Sequence, residues 1–478
     1  MIDSDLIIQQ IRQIVGGQHA ISFLDERASS QRHCLGDIPV GDESPMAIVM
    51  PDSVKQVQAV LQMAATLGFA VTIIPNASGN GAGTRIRAKQ SIVLDLSRMN
   101  KILEVDVDSG YALVEPGVSF DQLREYLAES DARHWVDTDL NGANSVSGSI
   151  AERAFGYTPY GDHLLMQCGM EVVTANGEVL RTGMGALPGS DTWQLFKYNY
   201  GPYLDGLFSR SDLAVVTKMG LWLMPAPPAY HPFMVSLPDA ESLNQAIEVL
   251  RPLKIEMVVP NTVSICHVSA DTALLKEAGI LEATAGGNMG SDEWNLFGAL
   301  YGVPENVKVI WTSVAGALGA ITNATVFSAD SPPENHPTWP LRERLMRGEP
   351  AFSRAEPSAT NTLWFAAAAP MEGAAALEMH RLADAALSAA GISYAHEFSL
   401  TWRTMFMRVS IPYSAQQFPG YSDAVLELIE QLTEAGYAIS HDSRELTEAV
   451  SEAHTAGGLK DLYGALGEAL DPDRILRN

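Results

Sequence analysis

Two short stretches rich in small and amide-bearing residues offer chemistry in this chain: Pro75-Asn-Ala-Ser-Gly-Asn-Gly-Ala-Gly83 and Asn141-Gly-Ala-Asn-Ser-Val-Ser-Gly-Ser149. In the first, backbone N–H groups unobstructed by Cβ atoms can converge on an anion such as a diphosphate. The same loop also reads as a plain turn between strands. It contains neither G-x-G-x-x-G nor GK[ST], which disfavours a Rossmann or P-loop nucleotide site. The second stretch suits a place where backbone approaches a large planar ligand, or an Asx-rich surface turn. His441, His396 and the adjacent Glu397 are candidate acids or bases, because histidine titrates near neutral pH and a glutamate can orient it. A structural histidine is the alternative at each position.

The elements that must hold these residues are legible as periodicities. Val54, Val57, Val60, Leu61 and Ala64 in 51–69 fall on one helical face, with Asp52 or Ser53 available to cap its start and Gly68 its end. Val71–Ile74, Ser91–Leu96 and Tyr111–Glu115 read as strands, so the chain begins as α+β. The proline-rich run Met224–Tyr230 cannot continue regular structure and marks a domain boundary. Beyond it come two strand–helix passages, Phe233–Leu237 with a helix near Glu241–Leu250 and Leu363–Ala368 with one near Gly373–Ala390, which suit a sheet covering a cofactor. Helices near 421–435 and Leu459–Ala469 precede the tail Asp471–Leu476, which reads as a C-terminal clasp. The expected division is residues 1–227, 228–435 and a returning segment 436–478.

Composition narrows the function. With 57 acidic against 31 basic residues in 478, the net charge of −26 repels phosphate backbones and anionic membranes, so no nucleic-acid or membrane partner is expected. A hydrophobic share of 46% with 18% charged residues is that of a soluble globular protein. Cys34, Cys168 and Cys266 are odd in number and far apart, giving neither a disulfide framework nor a CxxC metal pattern. With an N-terminus lacking a long apolar core, this leads us to expect a cytoplasmic protein that binds no metal.

In their order along the chain, PDSVKQVQAVLQMA, the glycine loop, SIVLDLSRMNKILEVD, YALVEPGVSFDQL, GANSVSGS, GYTPYGDH, LRTGMGALPGS, FKYNYGPYLDGLFSRSDLAVVTKMGLWLMP, YGVPENVKVIW and DPDRIL resemble the vanillyl-alcohol oxidase and para-cresol methylhydroxylase family over most of its length. The resemblance implies a two-part FAD-binding domain of that type, an α/β cap over the substrate and a C-terminal return. It implies FAD held by Asn76, Ala77, Ser78, Gly79, Asn80 and Gly81 around the diphosphate, by Ser145, Val146, Gly148 and Ser149 on the other side, along Gly156, Tyr157, Tyr160 and Gly161, and by backbone of Ala214, Val215 and Val216. Tyr157 and Tyr160 could equally be core aromatics. Asp139 falls near an acid that the family sets beside the flavin N5 as base or electrostatic partner; the alternative is an exposed loop acid.

The departures concern substrate. Where the family holds a phenolate with a tyrosine and a tyrosine–arginine pair, this chain has Asn80, Ser440 and His441. Where many members carry a flavin-linking histidine, Arg403-Thr-Met-Phe-Met407 has none; Tyr394 is the comparable hydroxyl upstream, and non-covalent FAD is expected. The resulting expectation is an FAD-dependent oxidase or dehydrogenase taking hydride from an alcohol or activated C–H other than a simple para-alkylphenol, with Asp139, His441 and Tyr394 as catalytic candidates. Reduced flavin would pass electrons to oxygen or to a carrier such as a cytochrome, in a homo-oligomer. The alternative is a catalytically degenerate partner protein of the same fold, with or without flavin.

Overall fold

The computed structural model describes residues 4–23, 25, 45–75, 90–130, 132–281, 293–354, 361–414, 416–443, 445–454 and 457–476. The loop residues Asn76, Ala77, Ser78, Gly79, Asn80 and Gly81 lie outside them.

The N-terminal part builds two sheets. In the first, β1 (Ala20–Ser22), β2 (Ala47–Val49), β4 (Ser91–Asp95) and β3 (Ala70–Ile74) lie side by side, the last three parallel. Helix Val54–Leu67 buries Val57, Val60, Leu61 and Ala64 in their common core, and Gly68 ends it in the left-handed region at φ 71°. The tail returns here: Val71 N donates to Ile475 O at 2.7 Å, while Ile475 and Leu476 are buried in the same core. Asp471 folds the tail over by accepting Ile475 N and Leu476 N, each at 2.9 Å.

The second sheet is antiparallel, in the order β5 (Ile102–Asp106), β6 (Tyr111–Val114), β10 (Ala214–Trp222), β8 (Gln167–Thr174), β9 (Val179–Arg181). A small ribbon pairs β7 (His134–Trp135) with β11 (Met224–Pro225).

The third sheet is a continuous antiparallel surface of eight strands. These are β12 (Ala229–Leu237), β13 (Val263–His267), β14 (Trp294–Gly302), β15 (Thr325–Ser328), β16 (Asn361–Pro370), β17 (Ala395–Leu400), β18 (Thr404–Tyr413) and β19 (Ala438–Asp442), in the spatial order β15-β12-β14-β13-β17-β18-β16-β19. Because β19 pairs with β16, this sheet extends past the boundary expected at residue 435. Helices Ala240–Ile255, Pro304–Leu318, Gly373–Ala383 and Phe418–Glu434 pack against one face. The period-2 alternation of a strand decides what each face receives. Along β18, Met405, Met407, Val409 and Ile411 are fully buried toward the helices, each worth about 1.5–3 kcal/mol. Thr404, Phe406, Arg408 and Ser410 consequently point the other way, toward the N-terminal sheets.

A polar latch joins the two parts. Arg210 reaches Asp442, at the end of β19, at 2.8 Å and Glu152 at 3.6 Å. Burial pushes the Glu152 carboxyl up to about 7, with Arg210 opposing and Asp442 adding to the rise. A carboxyl raised by folding contributes stability below its ordinary value of 4.5 that is lost as pH rises through about 7. Glu152→Gln should therefore gain on the wild type between pH 5 and 8, by at most about 2.5 kcal/mol. Paired melting curves across that range check this; parallel pH profiles would contradict it.

Candidate active site

The segment expected to line the flavin is organised by one buried carboxylate. Asp137 accepts Thr158 N at 2.6 Å and Tyr157 N at 3.2 Å, and its Oδ1 lies 2.9 Å from His163 Nε2. His163 Nδ1 in turn meets the Ser149 hydroxyl at 2.9 Å. Though Ser149, His163 and Asp137 line up like a nucleophile with its base, the whole chain of bonds is buried and ends on backbone amides, so it works as a brace. Gly156 is required beside it, because a Cβ there would lie 1.3 Å from Asp137 Oδ1. Gly161 closes the turn, its carbonyl accepting Gly156 N at 2.8 Å.

Tyr157 is buried against Met234, Cys266 and Phe297 of the large sheet, which makes it the aromatic peg between the two parts of the molecule. Its carbonyl accepts Asn261 Nδ2 at 3.2 Å, and Asn261 Oδ1 accepts Ala299 N at 3.1 Å. The fully buried Lys254 fixes this connection by donating to the carbonyls of Val259 and Asn261. Tyr160 lies elsewhere, in an open groove of about 300 Å³ with His134 and Trp222.

The backbone around Ser145 fits a dinucleotide. Ser145 caps the short helix Val146–Ala151, accepting Gly148 N at 2.9 Å and donating to Pro116 O at 2.6 Å. The neighbouring Ser147 hydroxyl is buried without a partner among the described residues. A Cβ on Gly148 would come within 2.7 Å of Pro75, where the glycine loop begins. Ala214, Val215 and Val216 pair with β8, whereas β6 pairs with β10 only from Met219 onward, which leaves one backbone edge of the three without a strand partner among the described residues.

Facing this backbone, the large sheet presents one row of residues in cross-strand register: Cys266, Glu397, Arg408, Ala366 and His441. Arg342, only 3% exposed, reaches into the row, 3.3 Å from Glu397 and 3.5 Å from Asp271. Glu397 is shared, since Arg408 Nη1 lies 3.4 Å from its other oxygen and the Cys266 thiol donates to it at 3.4 Å. Burial alone would raise the Glu397 carboxyl, yet Arg342 and Arg408 hold it below its ordinary range. Burial pushes the Tyr157 hydroxyl far up, helped by Glu397, so it stays protonated. Asp139 stands within the field of Arg408 and Tyr157, with its oxygens accepting Leu140 N at 2.7 Å and Asn144 Nδ2 at 2.8 Å.

Three sequence-based expectations need correction. Tyr394 lies on the helix-covered face of the large sheet, 5.1 Å from His396, because strand alternation sends residues 394 and 396 away from Glu397; it cannot serve the cleft. For the same reason Glu397 does not orient His396, which stacks on both His380 and His267 in the core. His441 does reach the cleft, 6.2 Å from Phe155, but its Nε2 is 3.0 Å from the Arg153 carbonyl and its Nδ1 3.0 Å from Ser440 Oγ. Burial, then Arg210, push it down to about 4, so it is neutral at neutral pH and does not titrate there. Arg342, Arg408, Asp271 and the Asp137–His163 brace escaped the sequence reading. The signal for Arg408 was available, a lone cation opposite the apolar parity of TMFMRVSIPY.

Comparison with known proteins agrees with this geometry. Residues 45–183 match an FAD binding domain. Over 98% of this chain and 94% of the relative, the sequence is 31% identical to the 4-cresol dehydrogenase [hydroxylating] flavoprotein subunit of Pseudomonas putida. The structure superposes on p-cresol methylhydroxylase with substrate bound at TM-score 0.86 and 30% identity, and on the 4-ethylphenol oxidase of Gulosibacter chungangensis at 0.87 and 26%, each covering 99% of this chain and 95% of the other. The chain belongs to the para-cresol methylhydroxylase type of FAD-linked oxidoreductases, and FAD is its cofactor. Among the described residues, no helix is long and apolar enough to cross a membrane, and no cluster of histidine, cysteine and carboxylate side chains could hold a metal.

Proposed function

We propose that this enzyme oxidises an alcohol or activated C–H substrate other than a simple para-alkylphenol. The observation that carries this reading is the chemistry at the expected clamp: His441 is neutral, its ring is tied to the Arg153 carbonyl, and Ser440 beside it donates to Ala366 O at 3.1 Å. A phenolate needs donors or cations at its oxygen, and these groups supply neither a cation nor an acidic hydroxyl.

FAD bound by Ser145–Ser149, the glycine loop at 76–81 and the Ala214–Val216 edge would supply the two-electron acceptor for the substrate hydride. Asp139 is the proton acceptor in this reading, because Glu397 is already committed to two arginines. Tyr157 and Phe406, the latter 5.1 Å from Phe155 with the rings tilted by 34°, would close the cleft to water. Met407 lies in the helix-side core and Phe406 has no nucleophile, which supports non-covalent flavin released by acid. We divide the chain into an FAD domain to about residue 227, a cap that includes β19, and a returning C-terminal segment. Electrons would leave to a carrier such as a cytochrome or to oxygen; the relative named a flavoprotein subunit favours the carrier.

The test is flavin reduction without oxygen across para-alkylphenols and non-phenolic alcohols. Para-alkylphenols should be slower by about ten- to a hundredfold per lost phenolate contact. Rapid reduction by cresol at low concentration would overturn the reading.

A further inference from the structure

Arg408 is the open charge of the cleft. It lies deep in the molecule, in the fields of Glu397, Tyr157 and Asp139, yet 38% of its side chain is accessible, so its guanidinium borders internal space. Its neighbours in the cross-strand row explain this. On one side stands Glu397; on the other Ala366 offers only a methyl group. Among the described residues, Nη1 is the only nitrogen of the guanidinium with a partner, at 3.4 Å, which leaves the rest of a planar donor fork turned to the space between the sheets. That fork matches a carboxylate in a bidentate manner.

The charge is not cancelled by its neighbour. Glu397 divides one negative charge between Arg342 and Arg408. Asp271 stands on the far side of Arg342, 3.5 Å from it. An anion entering the cleft thus meets a guanidinium with open donors beside Asp139, the acceptor proposed for the substrate proton.

We infer that Arg408 is a carboxylate anchor and that the substrates are hydroxy acids, the carboxylate seated on its fork and the hydroxyl-bearing carbon held beside it. This rests on the reading of the cleft as the substrate site. Within that reading it assigns the substrate class and gives Arg408 a binding role.

The holoenzyme tests it with matched pairs that differ only by the acid group: mandelate against benzyl alcohol, and para-hydroxymandelate against para-hydroxybenzyl alcohol. Benzoate, followed by its perturbation of the flavin absorption spectrum, reports binding without turnover. Wild type should bind each acid more tightly than its neutral partner, and Arg408→Met should weaken acids by about ten- to a hundredfold more than it weakens their neutral partners. Arg408→Lys, which keeps the charge and loses the fork, should fall between them and decides the matter should the methionine variant not hold flavin. Equal binding of acids and neutral partners by the wild type, or undiminished benzoate binding in both variants, overturns the anchor. Should benzoate binding depend on Arg408 while no alcohol or acid reduces the flavin, the anchor stands and the oxidation reading falls. Reduction by neutral alcohols with no acid binding does the opposite, sinking the anchor and leaving the oxidation reading in place.

Discussion

Glu397→Leu should cost about 3–5 kcal/mol of unfolding free energy, the largest loss expected from a single change in the cleft. The reason is Arg342, which has 3% of its side chain exposed and two nitrogens, Nε and Nη1, already without partners among the described residues. Removing Glu397 leaves that buried guanidinium with Asp271 alone, at 3.5 Å, and sets it against Arg408 with nothing between. Glu397→Gln keeps the shape and some hydrogen bonding, so it should lose less, about 1–3 kcal/mol. Urea unfolding at saturating FAD separates the two variants. A leucine variant within 1 kcal/mol of the wild type, by the roughly tenfold-per-1.4 kcal/mol scale of such equilibria, would show that the arginines find other partners.

Asp137→Ala should yield protein that has largely lost its flavin. Its carboxylate accepts the backbone N–H groups of Tyr157 and Thr158 and contacts His163, all in a buried setting, so its loss strands several donors at about 1–3 kcal/mol each. The turn from Gly156 to Gly161 would then have no internal template, and the Ser149 hydroxyl would lose the histidine that orients it. The ratio of flavin to protein absorbance after desalting is the readout. Asp137→Asn keeps an acceptor for the amides and should retain more flavin than alanine. Full flavin content in the alanine variant would mean that the brace is dispensable.

Much of this was legible along the chain, and what was missed has a common cause. The spacing of Val57, Val60, Leu61 and Ala64 disclosed a helix because that signal is local. The pairing of β19 with β16 joins segments about seventy residues apart, and AISHD lacks the apolar alternation that would have announced a sheet strand. Parity defeated the reading of Tyr394: a strand shows which residues share a face but not which face the helices will cover. Arg342 and Glu397 likewise meet across 55 positions, and only the folded sheet makes them partners.

The bond from Val71 to Ile475 sets an order of events during synthesis. The helix at Ser4–Val15 and the residues Ile475 and Leu476 share one hydrophobic core, so a ribosome delivers these two pieces of it far apart in time. Until residue 476 has emerged, the edge of β3 and the apolar groups beneath it stay open, while all the strands of the large sheet have already been made. Flavin capture should therefore wait for the segment 471–476, and a nascent polypeptide stalled before Asp471 should depend on chaperones to shield its unfinished sheet.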